Sequence, residues 1–174
     1  ISKARKNAKK RNLNIRFISA PFSKVNIPKS QKADLVVSLG NAFANIKEKE
    51  LIGIIKLAYS VLKEGGSFLF QVLNYDLIRK ENKRIVNITS RSGNTFVRFY
   101  DIKKKLLRFN ILTINNTNTS DYNLISTELY EHNKIWFSSA LKNSGFNKIK
   151  YMGDFADSPF SVNKSKDLII LAVK

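Results

Sequence analysis

Two stretches decide the fold: Asp34-Leu35-Val36-Val37-Ser38-Leu39-Gly40-Asn41 and Gly65-Gly66-Ser67-Phe68-Leu69-Phe70-Gln71-Val72-Leu73-Asn74-Tyr75-Asp76. Their mainly apolar runs, 35–39 and 68–73, read as buried parallel strands, apolar on both faces. Between them, 48–63 reads as a helix. Leu51, Ile55, Ala58 and Leu62 repeat at i, i+4, i+7 and i+11, with Lys49, Gly53, Lys56, Ser60 and Lys63 on the opposite side. Strand, helix and strand at this spacing predict a βαβ unit, with Gly65-Gly66 ending the helix and turning into the second strand. Ligands of such sheets sit beyond the carboxyl ends of the strands. Those ends, Gly40-Asn41 and Asn74-Tyr75, are where function is sought.

The 174 residues fit one domain, with enough apolar content for a core. There is no Cys, which excludes disulfides and thiolate metal sites, and the only His is His132, so a His-rich metal centre is excluded too. No metal site is expected. No apolar run reaches the length of a membrane-spanning helix and no signal peptide is recognisable, so the expected setting is the cytoplasm. The net charge is +18, from 31 basic and 13 acidic residues. Such a surplus suits a nucleic-acid partner, but the Lys and Arg residues are spread along the chain. Their densest run, Lys3 to Arg11, shares a helix with Ile1, Ala4 and Ala8 and is explained by a solvated face.

Ser38-Leu39-Gly40-Asn41-Ala42-Phe43-Ala44-Asn45 and Asn74-Tyr75-Asp76-Leu77-Ile78 resemble two signature loops of glycine N-methyltransferase and its bacterial relatives. These are class I methyltransferases that use S-adenosylmethionine. The likeness runs thinly to the end of the chain, through Gly153-Asp154-Phe155. It implies an α/β fold with a Rossmann-like class I methyltransferase sheet, here lacking its first two strands. In that register 2–11 is the helix after the second strand, and 15–18 is the third strand, either detached or paired beside 35–39. The family reads adenine with a polar side chain where this chain has Pro21, which lacks even a backbone N–H. Recognition would then fall to the Ala20 backbone and to Phe22, with Leu39 and Gly40 completing the cofactor contacts. The family's Gly-rich loop and ribose-binding acid have no counterpart, so the chain as it stands is expected to bind the cofactor weakly and to be inactive.

The same resemblance assigns substrate contacts to Asn41, Phe43, Leu73, Asn74 and Tyr75. The residue types leave room for other roles: Asn41 can cap a turn, and Phe43 and Tyr75 can be core. In the glycine enzyme an Arg directly before the Asn-Tyr-Asp loop pairs with the substrate carboxylate; Leu73 cannot, which points away from glycine. Arg98 is a possible substitute.

Downstream, 79–84 is a polar helix or loop. Residues 95–100 and 106–114 alternate like strands across the polar turn 101–105, and 121–130 is a third extended segment after a loop at 115–120. The expected division is a methyltransferase core in 1–79 and 131–174, and an antiparallel β insert in 80–130. In the resembling enzymes such an insert covers the active site; alternatively it could supply a dimer edge. The last helix spans 131–144, Gly145 caps it, and 148–152 and 168–173 pair as closing strands. His132, near that helix start, is expected to be solvated or capping, with general base as the other role. Methyl transfer from a sulfonium is a single in-line displacement that needs positioning and exclusion of water, so no catalytic residue is singled out. The function expected is N- or O-methylation of a small molecule other than glycine. The alternatives are a basic nucleic-acid-binding domain of Rossmann-like shape and a non-catalytic methyltransferase-fold partner subunit.

Overall fold

A computed structural model describes residues 1–21, 24, 25, 27, 28 and 30–174. In chain order the elements are α1 (Ser2–Lys10), β1 (Ala33–Ser38), a 3-10 turn (Ala42–Asn45), α2 (Glu48–Val61), β2 (Leu62–Leu73), α3 (Tyr75–Glu81), β3 (Ile85–Arg91), β4 (Asn94–Lys103), β5 (Leu106–Asn115), β6 (Tyr122–Leu129), α4 (Lys134–Asn143), β7 (Lys148–Met152) and β8 (Asp167–Val173). No helix among the described residues is long and apolar enough to cross a membrane.

The βαβ unit forms as expected. β1 and β2 run parallel, with Leu35 beside Ser67 and Ser38 beside Phe70. β8 pairs antiparallel with β2 and β7 antiparallel with β8, so the first sheet has the order β1-β2-β8-β7. Helix α2 lays Leu51, Ile55 and Ala58 against it, and α4 adds Phe137 and Leu141 to the same core. Phe43, Phe68, Phe70 and Phe137 pack there with ring centroids 4.8–6.5 Å apart. Burying an aromatic of this size contributes roughly 2–3 kcal/mol, so these rings are a large part of the core's stabilisation.

Three expectations for this half are corrected. The strands are not covered on both faces: Phe68, Phe70 and Val72 are buried under the helices, whereas Leu35, Val37 and Leu39 are each about half exposed, at 51%, 47% and 49%. Gly65-Gly66 does not end the helix. α2 stops at Val61, and both glycines lie inside β2, where the register against β1 shifts. Gly65 takes φ +74, and a Cβ on Gly66 would come within 2.9 Å of the Lys63 carbonyl oxygen, so the irregularity needs both glycines. Residues 15–18 form no strand. Ile15 and Ile18 are exposed, and no ladder joins them to β1; an extended segment without a partner strand has nothing to hold it in a sheet.

The second sheet, β3-β4-β5-β6, is antiparallel throughout. It has four strands where three were expected. β3 is exposed along its whole length and carries no burial signal. The turn creates it: Ser92 and Gly93 have φ +52 and +76, and a two-residue loop with both centres left-handed matches the twist of an antiparallel hairpin.

Candidate functional site

The carboxyl ends of the two parallel strands are held together by one side chain. After β1 the chain reverses through two left-handed residues, Gly40 (φ +72) and Asn41 (φ +59), a conformation that Gly and Asn adopt most readily. This turns the Asn41 side chain back onto β2. Its Oδ1 accepts from the Leu73 N–H (3.0 Å), its Nδ2 donates to the Tyr75 hydroxyl (2.8 Å), and its own N–H donates to Gln71 Oε1 (3.0 Å). Gln71 Nε2 donates in turn to Asp167 Oδ1 at 2.6 Å. The polar chain Asn41–Gln71–Asp167 thus ties β1, β2 and β8 together at the edge where ligands of this fold class bind.

The second sheet leans over that edge. Tyr100 and Leu107 are buried with Ala44 and Tyr75, and Leu73, Phe109 and Leu129 pack around them. The Tyr130 N–H donates to the Ala44 carbonyl (2.8 Å). Arg79 on α3 makes a two-pronged ion pair with Glu131, Nε to Oε2 at 2.5 Å and Nη2 to Oε1 at 2.6 Å, and its Nη1 donates to the Lys103 carbonyl at 2.8 Å. The hydrogen bond to Glu131 raises the Arg79 pKa further, so the guanidinium stays charged.

A cleft of about 300 Å³ remains between strand ends and cover, bordered by Gly40, Asn41, Asn45, Leu73, Tyr100 and Leu129. A second hollow of about 250 Å³ shares its Leu73–Tyr100 wall and extends over Leu77, Ile78 and Ile85. Burial pushes the Tyr75 phenol well above its ordinary range, aided by Tyr100 and Glu131 and opposed by the Asn41 hydrogen bond. Burial raises Tyr100 as well. Both phenols therefore remain protonated at neutral pH, and Tyr75 acts as a hydrogen-bonding group, not a base. The Tyr100 hydroxyl has no hydrogen-bond partner among the described residues, although its ring borders both hollows.

The structure brings Gly40, Asn41 and Leu73 into the cleft, with Tyr75 fixed beneath Asn41. Other expected contacts are corrected. Phe43 is 1% exposed and belongs to the phenylalanine core. Asn74 is the N-cap of α3: Oδ1 accepts from the Leu77 N–H (3.4 Å), and Nδ2 donates to the carbonyls of Val162 (2.9 Å) and Ser165 (2.8 Å). Its amide is engaged in these bonds, although the residue does border the second hollow. Arg98 points along the second sheet, donating to Asn87 Oδ1 and Thr89 Oγ1, both at 3.1 Å. Leu39 and Ala20 are exposed and do not line the cleft; Phe22 lies outside the described residues. His132 is not solvated. It is 8% exposed, its Nε2 lies 3.0 Å from the Ile46 carbonyl oxygen, and burial lowers its pKa. The cap of α4 is instead Asn133, whose Oδ1 accepts from the Trp136 N–H. Gln71, Tyr100 and Asp167 were not anticipated. Gln71 carried a signal, a lone amide inside an apolar strand, whereas Tyr100 and Asp167 carried none.

Residues 1–66 match a family model described as "Methyltransferase domain". No curated protein matches in sequence. Solved structures match over nearly all of the chain. A methyltransferase from Streptomyces caelestis, CcbJ, superposes with a TM-score of 0.82 at 16% identity, over 99% of this chain and 74% of that one. An S-adenosylmethionine-dependent methyltransferase from Clostridium acetobutylicum gives 0.80 at 17%, over 99% and 70%. An amino pentose methyltransferase from Micromonospora echinaspora, CalS10, with S-adenosylmethionine bound, gives 0.67 at 12%, over 100% and 71%. At these identities the likeness is one of fold: the chain has the class I methyltransferase fold. A closer kinship with glycine N-methyltransferase is not shown.

Proposed function

We propose that this protein is an S-adenosylmethionine-dependent methyltransferase that methylates a nitrogen or oxygen of a small molecule other than glycine. The observation that carries the reading is the Asn41 clamp beneath a covered cleft at the carboxyl ends of β1 and β2. The match of residues 1–66 to the methyltransferase family model supports it, as does the fold shared with CalS10, which holds S-adenosylmethionine.

The residues present fit such a cofactor at one point that can be examined directly. A Cβ added to Gly40 would meet nothing within 4 Å, so the space beside the left-handed backbone is free for a ligand to approach closely. Gly40 and Asn45 border that space. When bound, the cofactor supplies a methyl group on a sulfonium, transferred in one in-line displacement. The chain's part is to position and to exclude water. Asn41 holds the strand ends in register. In this reading residues 80–130 form the cover, with 1–79 and 131–174 as the core. Tyr100 and Leu129 close the cleft from above, and Leu73 gives it an apolar wall.

Leu73 bears on the substrate. A carboxylate lodged against it without a partner would cost several kcal/mol. The acceptor therefore presents an apolar or uncharged portion to that wall, which an amino pentose, the substrate class named for CalS10, could also do. The test is methyl transfer by the full-length protein, since the chain as it stands is expected to bind the cofactor weakly, from labelled S-adenosylmethionine to amino sugars, small amines, hydroxy acids and glycine. Turnover of an amine or hydroxyl acceptor above glycine is expected. Glycine as the best substrate, with no gain from Leu73→Arg, would overturn the assignment. Gly40→Ala should weaken S-adenosylhomocysteine binding, because its Cβ would enter the space assigned to the cofactor.

A further inference from the structure

A further cleft, of about 370 Å³, lies where the chain leaving β6 enters α4, and it plays no part in the methyl-transfer reading. Glu48, Tyr130, Glu131, His132, Asn133 and Trp136 line it. The His132 ring is its fixed point. The Ile46 carbonyl oxygen can only accept, so His132 Nε2, 3.0 Å away, must carry the proton. Nδ1 therefore keeps its lone pair, and no described residue donates to it. No fully enclosed side-chain nitrogen lacks a hydrogen bond among the described residues, so Nδ1 is reached from the cleft. The Trp136 ring packs 4.5 Å from the imidazole, and the Tyr130 ring lies 6.4 Å away at an interplanar angle of 20°. Both offer aromatic surface in the same cleft.

The charges around this cleft run against the rest of the molecule. In a chain of net charge +18, its ionised side chains are Glu48 and Glu131. Glu131 is neutralised by Arg79, but Glu48 has no ion-pair partner among the described residues. Glu48 also lies close enough to His132 for its charge to oppose the loss of basicity that burial causes in the ring. A free carboxylate, an unpartnered imidazole lone pair and two aromatic rings are what a protonated amine needs: an anion, an acceptor for one N–H and π surface for the cation.

We propose that this cleft is a binding site for a primary ammonium group, held by the Glu48 carboxylate, His132 Nδ1 and the Trp136 ring. A quaternary ammonium, with no N–H, cannot use Nδ1 and binds less well. A neutral polyol forfeits the attraction of Glu48.

Trp136 is the only tryptophan, so its emission reports this cleft alone. The protein is titrated with methylammonium, tetramethylammonium and sorbitol, each against sodium chloride at matched ionic strength. The expected result is a saturable change in Trp136 emission with methylammonium, weaker with tetramethylammonium and absent with sorbitol. Glu48→Gln, at an exposed position in the first turn of α2, should raise the apparent Kd about fivefold, the upper end for one water-exposed charge pair. Circular dichroism checks that this variant is folded. No saturable response to methylammonium in the unaltered protein overturns the proposal. So does a response that sorbitol reproduces, tetramethylammonium binding as tightly as methylammonium, or a folded Glu48→Gln variant that binds unchanged.

Discussion

Replacing Asn41 by alanine removes the side chain that joins the two parallel strands at the edge of the cleft. Hydrogen bonding to two partners goes with it: the Leu73 N–H, which donates to Oδ1 at 3.0 Å, and the Tyr75 hydroxyl, which accepts from Nδ2 at 2.8 Å and donates to Oδ1 at 3.1 Å. Each contributes about 1 kcal/mol net; because Tyr75 is buried, water cannot fully replace its lost partner. Alanine must also hold φ +59, which adds roughly 1 kcal/mol over an asparagine that visits this region readily. Asn41→Ala should therefore destabilise the fold by about 3 kcal/mol, and Asn41→Gly, which lacks the backbone term, by about 2 kcal/mol. The measurement is urea unfolding of both variants with a shared slope, which converts midpoint shifts to free energy. Tyr75→Phe completes a double-mutant cycle with Asn41→Ala, and a coupling of about 1 kcal/mol is expected for the shared bond. A cost below about 0.5 kcal/mol for Asn41→Ala, or additive single variants, would show that the clamp does not hold the strand ends and would remove the main support for the site.

Other expectations follow from single contacts. A Cβ on Gly145 would lie 2.7 Å from the Tyr59 ring with φ at +103, so Gly145→Ala should cost about 2–3 kcal/mol, read as a lower unfolding midpoint; a neutral substitution refutes the packing described. Arg79→Met breaks a half-buried two-pronged ion pair and the bond to the Lys103 carbonyl, at a cost of about 1–2 kcal/mol, and should expose the β3–β6 sheet to limited proteolysis sooner. His132 is the sole histidine, so its ring resonances can be followed by NMR without ambiguity. Its pKa is lowered by burial from 6.5, so between the folded value and 6.5 the unfolded chain binds more protons. Its contribution to stability is thus complete above about pH 6.5 and is lost as the pH falls through the lower, folded value. A midpoint at or above 6.5 contradicts the burial seen here.

The βαβ unit was legible from the sequence because apolar spacing reports burial, and burial is what parallel strands and their crossover helix share. Leu51, Ile55 and Ala58 are in the core for that reason, and Phe68, Phe70 and Val72 face the helices. The two strand ends were legible too, because the apolar runs stop at Gly40-Asn41 and Asn74-Tyr75; the left-handed turn at Gly40 and Asn41 is what the structure added. What a polar or aromatic side chain touches is another matter. Asn41 and Asn74 are the same residue type at neighbouring strand ends, yet one borders the cleft while the other spends its amide on capping α3 and on the carbonyls of Val162 and Ser165. Those carbonyls lie 88 and 91 residues further along the chain, and no local pattern encodes them. Phe43 became core and His132 became buried for the same reason: packing partners arrive from α4 and from the loop after β1. Strand β3 exists because a left-handed Ser92-Gly93 turn folds an exposed segment onto β4, while residues 15–18, more apolar, have no neighbour to pair with and form no strand. Apolar periodicity determines which faces turn inward. Hydrogen-bond partners drawn from distant parts of the chain are chosen only when the tertiary structure closes, because a donor or acceptor is satisfied by whatever lies within about 3 Å of it and not by its neighbours in sequence.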